Sequence, residues 1–254
     1  MMTTTHHSDI LTLDVLKKNI DVDPTAVEKE LSGGVVILVD KPKEWTSFDV
    51  VNKIKRTFGI KKVGHAGTLD PIATGLLIVC TARKTKEIDS FVSLKKIYTG
   101  TIKLGQTTAS YDSETEVIEQ KPVDRITPEM ITVAAGKFTG EIEQMPPMYS
   151  AIKKNGKPLY KLARKGIVIN RELRRVMISE FTVTNIDLPY VTFRIACSKG
   201  TYIRTIAHDL GQELNTGGHL TELRRIAIGP YSVDDAVTIE LLNELKDRLK
   251  RKYV

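Results

Sequence analysis

The sequence predicts an α+β protein, and three observations lead to this prediction. Strand-like and helix-like segments follow one another without the regular alternation that a doubly wound sheet requires. Two consecutive segments, 176–187 and 190–198, are expected to pair as antiparallel strands. The chain has 254 residues, of which 41% are apolar, enough for one substantial core or for a domain with an appendage.

The first half of the chain is read as an extension followed by three strands and one helix. Residues 1–32 are predicted to be an N-terminal extension, polar apart from a possible short helix over 10–20. Buried strands are expected in GGVVILVDKP (33–42), GLLIVC (75–80) and KKIYTGTIKLG (95–105). Between the first two strands, TSFDVVNKIKRTFG (46–59) predicts a helix that Thr46 or Ser47 caps and Gly59 ends. Its expected buried face consists of Phe48, Val51, Ile54 and Phe58.

The second half is expected to contain four helices and one tight hairpin. The helices are placed at 127–138, 157–166, 200–214 and 238–253. The first has Pro128 near its opening turn, and the second is short, basic and ended by Gly166. The third is expected to face inward with Ile203, Ile206, Ala207 and Leu210. Asn155-Gly156 between two short basic segments is the signal for the hairpin.

Composition and charge limit the classes of function. The net charge of +7 fits a polyanionic partner such as nucleic acid, and it equally fits a requirement for solubility. Cys80 and Cys197 lie in apolar strand-like runs, which indicates buried thiols in a reducing compartment. Neither a zinc site, a signal peptide nor a membrane span is predicted, so we expect a soluble cytoplasmic protein.

Residues 64–75, GHAGTLDPIATG, form a glycine-punctuated loop with a single acid, Asp70. Pro71 disfavours the helical conformation at Asp70, and the glycines permit sharp turns and close backbone approach. Two interpretations stay open on the local sequence. Asp70-Pro71 could simply initiate a turn, or Asp70 could act as a nucleophile or general base.

Basic residues cluster in three further places. In KGTYIRT (199–205), Lys199 and Arg204 lie at a predicted helix start, where they could bind an anion, although Arg204 could also point to solvent. Segment 153–165 sets six Lys or Arg residues around Tyr160, and LRR occupies 223–225. This pattern suits phosphate contacts and base stacking, and it is also compatible with a solvated face.

Six ordered motifs carry a resemblance to a known family. They are VDKPKEWTS (39–47), GHAGTLDPIATGLL (64–77), YTGTIKLGQTT (98–108), PPMYSAIKKNGKPLYKLARKG (146–166), CSKGTYIRTIAHDLG (197–211) and LRR (223–225). With these motifs the sequence resembles the TruB-type tRNA pseudouridine-55 synthase family over about residues 34–240. The resemblance implies a mixed, largely antiparallel central sheet flanked by helices, with residues 33–254 as the catalytic domain. Longer members of the family add a C-terminal PUA-type module, and we expect no full module of this kind here, because only some fifteen residues follow Thr238.

The resemblance further implies an isomerase that acts on tRNA. Such an enzyme cleaves the N-glycosidic bond of uridine 55 in the T-arm stem-loop, rotates the uracil and rejoins it through C5. The target base must be flipped out of its stack before it can react. We expect neither a cofactor nor a metal, and we expect a monomer.

The family's functional residues map onto eight positions of this chain. Asp70 resembles the catalytic carboxylate, acting as a nucleophile at the anomeric carbon or as a base at C2′. Arg204 would pair with Asp70 and keep it ionised. Tyr98 would stack on the uracil and assist removal of the C5 proton. The remaining substrate-binding candidates are His65, which would support the displaced RNA, Tyr202 and Leu223, which would line the base pocket, and Lys199 and Tyr160, which would contact RNA.

The sequence departs from the family pattern at Glu44 and in the TTASYD run (107–112), and rival functions stay open. Glu44 stands where many members carry glycine, and the TTASYD run lacks a common acidic residue, so no role is assigned to Asp112. Lys41 is interpreted as structural. The main alternative is a catalytically inert tRNA-binding or tRNA-folding chaperone. A nucleoside or glycoside hydrolase using Asp70 is a second rival, but a typical glycosidase needs a second placed carboxylate.

Overall fold

The computed structural model describes residues 10–12, 24–154 and 156–252. The strands are β1 (Ile10–Leu11), β2 (Val36–Lys41), β3 (Val63–His65), β4 (Ala73–Thr81), β5 (Lys96–Leu104), β6 (Gln106–Thr108), β7 (Val117–Gln120), β8 (Gly140–Gln144), β9 (Lys153–Lys154), β10 (Lys157–Pro158), β11 (Arg174–Asp187), β12 (Tyr190–Cys197), β13 (Gly218–Ile228) and β14 (Tyr231–Ser232). The helices are α1 (Pro24–Gly33), α2 (Ser47–Phe58), α3 (Ile88–Ser93), α4 (Pro128–Gly136), α5 (Leu159–Ala163), α6 (Ile203–Glu213) and α7 (Ile239–Lys252). The chain divides into unit 1, Met1–Lys96 with Arg224–Val254, and unit 2, Ile97–Leu223.

Unit 1 is a sheet with helices packed on it. Its strands follow the order β1-β2-β4-β13, with β3 also paired to β4. β1 is parallel to β2, and β2 is antiparallel to β4 from Val36 opposite Cys80 to Lys41 opposite Gly75. Apolar side chains alternate between two clusters, and the larger cluster unites β2 and β4 with α1, α2 and α7. Because both faces are covered, these strands are continuous apolar runs, as the sequence predicted.

Helix α2 confirms the predicted cap but not the whole predicted face. Thr46 and Asp49 form a reciprocal capping box, and Gly59 ends the helix with a φ of +65°. Val51, Ile54 and Phe58 are buried as expected, whereas 64% of Phe48 is exposed. At about 100° per residue, Phe48 lies about 100° away from the centre of the buried stripe.

The N-terminal prediction needs one correction. A short helix was expected over 10–20, but Ile10 and Leu11 form strand β1. Residues 13–23 lie outside the described residues, so the rest of that prediction is untested. Val27 and Leu31 of α1 are fully buried in the larger cluster. The division between an extension ending at residue 32 and a catalytic domain stays a prediction.

Unit 2 contains the predicted antiparallel pair. β11 and β12 pair from Ile178 opposite Cys197 to Asp187 opposite Tyr190, with two register shifts. The strand order is β13-β5-β12-β11-β8, in which β13 contributes its residues up to Leu223. β9 and β10 form the predicted antiparallel hairpin, although Asn155 at its tip is outside the described residues. The mixed sheet with flanking helices confirms the α+β class.

Candidate functional site

Asp70 lies half-buried in the loop between β3 and β4, here called the Asp70 loop (residues 66–72). The amide of Ala73 donates to the carbonyl of Asp70 at 3.0 Å, so the Asp-Pro step does form a turn. Ser47 binds the loop from α2, because its Oγ accepts from Leu69 N at 2.8 Å and donates to Leu69 O at 3.2 Å. The loop is therefore held at a helix N-terminus.

Lys41 lies beneath this loop and is fully buried. Its ammonium donates to the carbonyls of Pro42 at 2.9 Å and Trp45 at 2.6 Å, and it approaches Pro71 O at 3.5 Å. Burial lowers the pKa of Lys41 to about 8, and the nearby charge of Asp70 opposes that shift. These contacts join the strand end to the Asp70 loop and agree with the structural role predicted for Lys41.

Arg225 of β13 is a second buried cation that contacts the loop, a role that the sequence did not indicate. Its Nε donates to Leu76 O at 2.7 Å and its Nη2 to Gly67 O at 3.1 Å. Gly75 permits this approach, because a Cβ at that position would lie 2.3 Å from Arg225 O. Neighbouring Arg224 forms a bidentate pair with Asp40 at 3.0 and 2.7 Å. Both arginines of LRR therefore contact their own chain, and the buried Arg225 fits neither the phosphate contact nor the solvated face that its basic pattern left open.

His65 is the last residue of β3 and leads into the Asp70 loop. It is half-buried, and this burial, with a smaller effect of the Arg225 charge, lowers its pKa. The imidazole is therefore neutral at neutral pH.

Arg204 occupies the second position of α6 in unit 2, with only 3% of its surface exposed. Its Nη1 donates to Ser110 O at 3.1 Å, and its Nη2 donates to Tyr149 O at 2.8 Å. Nη1 also lies 3.5 Å from Oδ2 of Asp112. The alternative of a solvent-facing Arg204 is thus excluded, and one anion at this helix start is a carboxylate of the chain itself.

Asp112 is the functional candidate that the sequence left without a role. It is fully buried, and its Oδ1 accepts from Ser110 Oγ and, at 3.0 Å, from Glu114 N. The bend that places it includes Tyr111, a non-glycine residue with a φ of +65°. Tyr111 stacks on His208 with ring centroids 3.9 Å apart. No residue pattern in the sequence indicated this pairing of Asp112 with Arg204.

Tyr202 is the N-cap residue of α6 and is half-buried. Its amide donates to Oε1 of Gln144 at 2.7 Å, and Nε2 of Gln144 donates back to Tyr202 O at 3.0 Å. Gln144 ends β8 and is buried, so this paired contact orients the backbone at the start of α6. Gln144 is a further residue that the sequence did not single out.

The remaining candidates of unit 2 differ in exposure. Tyr98 on β5 and Leu223 on β13 are buried, whereas Lys199 is exposed just before α6. Tyr160 on α5 is half-buried, with the Arg164 guanidinium 5.6 Å from its ring centroid. The six cations around Tyr160 are all exposed: Lys153, Lys154, Lys157, Lys161, Arg164 and Lys165.

Asp70 and His65 thus belong to unit 1, and the other six predicted site residues belong to unit 2. The pairing predicted for Arg204 with Asp70 stays a prediction. Over the described residues, no group of three or more His, Cys, Asp or Glu side chains is arranged to hold a metal ion. No helix in that part of the chain is long and apolar enough to cross a membrane.

Comparisons with known proteins agree on one family. A profile described as "TruB family pseudouridylate synthase (N terminal domain)" matches residues 55–203, and one for the "tRNA pseudouridylate synthase B C-terminal domain" matches residues 204–253. The tRNA pseudouridine synthase B of Flavobacterium johnsoniae is 48% identical over 223 residues, covering 85% of this chain and 97% of that protein. That of Chlorobaculum tepidum is 51% identical over 212 residues, covering 82% and 88%.

A solved structure has a similar fold. A chain of the "Cbf5-Nop10-Gar1 Complex" superposes with a TM-score of 0.66 and 30% sequence identity. The match covers 84% of this chain, which spans 54% of that longer chain. Since the two profiles match residues 55–203 and 204–253, and both relatives are about half identical over more than four fifths of this chain, the chain belongs to the TruB family of pseudouridylate synthases.

Proposed function

We propose that this protein converts a uridine of tRNA, the T-loop uridine 55, to pseudouridine. The bond between N1 and the anomeric carbon breaks, the uracil turns, and C5 bonds to that carbon. The C5 proton leaves and N1 gains a proton, so the reaction is an isomerisation. The observation that carries the proposal is that the loop containing Asp70 is hydrogen-bonded to Ser47 of α2 and lies within the residues that the family profile matches. The relatives' name, tRNA pseudouridine synthase B, supports tRNA as the substrate.

Asp70 would act as the catalytic carboxylate. The hydrogen bonds of Ser47, Lys41 and Arg225 to backbone atoms of residues 67–71 support this role, because they restrict where its side chain can point. A carboxylate in that position could attack the anomeric carbon or remove the C2′ proton, and both alternatives stay open.

Arg204 would pair with the carboxylate of Asp70 and keep it ionised. Its guanidinium is oriented by the carbonyls of Ser110 and Tyr149 and by the Asp112 carboxylate, so little conformational entropy remains to be lost when it engages a second anion. Asp112 would then be a positioning residue rather than a catalytic one.

The other candidates would hold the RNA. Tyr98 would stack on the uracil and take part in removal of the C5 proton, with Tyr202 and Leu223 lining the base pocket. His65 would support the displaced strand, which a neutral imidazole can do by stacking or hydrogen bonding. Lys199 and the exposed cations around Tyr160 would bind phosphates of the T-arm. We further propose that the protein acts as a monomer in the cytoplasm, where its tRNA substrate is found.

The decisive experiment measures tritium release from C5-labelled tRNA without added cofactor. The wild-type protein should release one equivalent per tRNA, and Asp70→Asn should bind tRNA but release none. Asp89→Asn removes an exposed acid of α3 in the same unit and should behave as wild type. An inert tRNA-binding protein, which the comparisons do not support, would release no tritium in any variant. Release by Asp70→Asn at a near-normal rate would contradict the role of the acid.

A further inference from the structure

A strongly basic segment leads from α2 to the Asp70 loop. Between Asp49 and Asp70 the chain carries five cations, Lys53, Lys55, Arg56, Lys61 and Lys62, and not one acid. Lys53 is half-exposed and the other four are exposed. Since the net charge of the whole protein is +7, a large share of its excess positive charge lies in this segment.

The cations of this segment differ from other surface cations in their ion pairing. Several other surface cations have a carboxylate partner, including Lys137 with Glu213, Arg194 with Glu180 and Arg224 with Asp40. Within residues 24–154 and 156–252, none of the five cations of the segment forms an ion pair. Such an unbalanced group of charges produces a positive surface potential that attracts a polyanion.

Phe48 adds an exposed aromatic ring on the side of α2 that carries Lys55. It precedes Lys55 by seven residues, two turns of helix, so the two side chains point in nearly the same direction about 10 Å apart. A single exposed apolar residue is ordinary on a protein surface. An exposed ring beside a cation that forms no ion pair suits RNA binding, in which cations contact phosphates and aromatic rings stack on bases.

Residues on both sides of the five cations are attached to the Asp70 loop within unit 1. Before them in the chain, Ser47 is hydrogen-bonded to Leu69, and Glu44 N donates to Pro71 O at 2.8 Å. At the other end of the segment, Lys62 is followed directly by β3, whose last residue is His65. A ligand on this face would therefore be held at a defined place relative to Asp70.

We propose that Phe48, Lys55, Arg56, Lys61 and Lys62 form a contact surface for the backbone of the substrate RNA, with Phe48 stacking on an exposed base or ribose. The proposal rests on the proposed function and adds a surface separate from the residues that would take the uridine. Its contribution is to binding, because none of these side chains belongs to the Asp70 loop itself.

The test compares two pairs of substitutions of equal charge. Lys55→Gln/Arg56→Gln removes two cations from the segment, and Lys250→Gln/Arg251→Gln removes an exposed Lys-Arg pair from α7 of the same unit. The Kd for tRNA is measured between about 50 and 200 mM salt. The first pair should weaken binding about tenfold or more and reduce the salt slope by about two, whereas the α7 pair should leave both near wild type. Equal effects of the two pairs would overturn the proposal.

Kinetics with Phe48 variants provide the second measurement. Phe48→Ala should raise KM for tRNA about fivefold or more with kcat unchanged, and Phe48→Tyr should restore KM because the ring is retained. An unchanged KM in Phe48→Ala would overturn the role of the ring. If wild-type protein releases no tritium, the proposed function fails. If it does, and the Lys55/Arg56 pair matches the α7 pair, only this surface fails.

Discussion

Replacing Asp112 with asparagine tests the buried ion pair of unit 2. The substitution keeps the shape of the side chain and removes its charge. Asp112 is fully buried and Arg204 is nearly so, with Nη1 3.5 Å from Oδ2. In the variant, the guanidinium keeps the carbonyls of Ser110 and Tyr149 and loses the charge of Asp112.

The expected cost follows from the burial of both charges. Removing one partner of a buried pair typically costs about 3–5 kcal/mol, because the other charge stays desolvated. The lower end applies here, since 3.5 Å is long for a charge-assisted hydrogen bond and two carbonyls still accept from Arg204. A loss of about 3 kcal/mol corresponds to a fall in Tm of about 6–12 °C for a protein of this size.

Scanning calorimetry measures the Tm, and tritium release measures the activity of the same preparation. Asp124→Asn, an exposed acid of the same unit, is the control and should change stability by no more than about 0.5 kcal/mol. Asp112→Asn should also lower kcat more than it raises KM, because Arg204 is no longer held in one orientation. A Tm within about 1 °C of wild type would refute the energetic reasoning.

Three further predictions concern particular positions. Gly75→Ala should lower the free energy of unfolding by about 3 kcal/mol, because φ is +99° and the new Cβ would clash with Arg225 O. Thermal unfolding measures this loss, and Gly136→Ala, with open space around its Cβ, is the control. Burial raises the pKa of Asp209 to about 6. Its contribution to stability is therefore present below about pH 4 and lost as pH rises through 6. Asp209→Asn should raise the free energy of unfolding in urea by about 1–2 kcal/mol at pH 8, after allowance for the partial exposure of the side chain, and should leave it unchanged at pH 4. Burial also raises the pKa of Cys80 to about 12, so iodoacetamide at pH 8 should alkylate it about a thousandfold more slowly than a free thiol; fast labelling of the native protein would contradict this.

Local signals identified the elements whose formation depends on neighbouring residues. The capping box of Thr46 and the stop at Gly59 bounded α2 correctly, since caps are made within one turn of helix. Local patterns also correctly predicted the hairpin of β9 and β10 and the antiparallel pair of β11 and β12. β13 was not predicted as a strand, because its two arginines interrupt the apolar pattern.

The sequence identified only part of the candidate site. Asp70 and Arg204 lie in family motifs, so the resemblance to the family predicted a role for each of them. Asp112 and Gln144 act through residues that lie 92 and 58 positions further along the chain, by sequence number. Contacts between residues so far apart in sequence depend on the tertiary fold, and the local periodicity of the sequence cannot predict them.

The amino-acid sequence by itself determined the secondary-structure class, the ends of α2, the signature around Asp70 and the family to which the chain belongs. Only the tertiary structure decided that Arg225 is buried beneath the Asp70 loop while Phe48 faces solvent. Hydropathy predicts the opposite for both residues. The physical reason is that burial depends on which partners the fold supplies: Arg225 gains the carbonyls of Gly67 and Leu76, and α2 turns Phe48 away from the core that covers Val51 and Ile54.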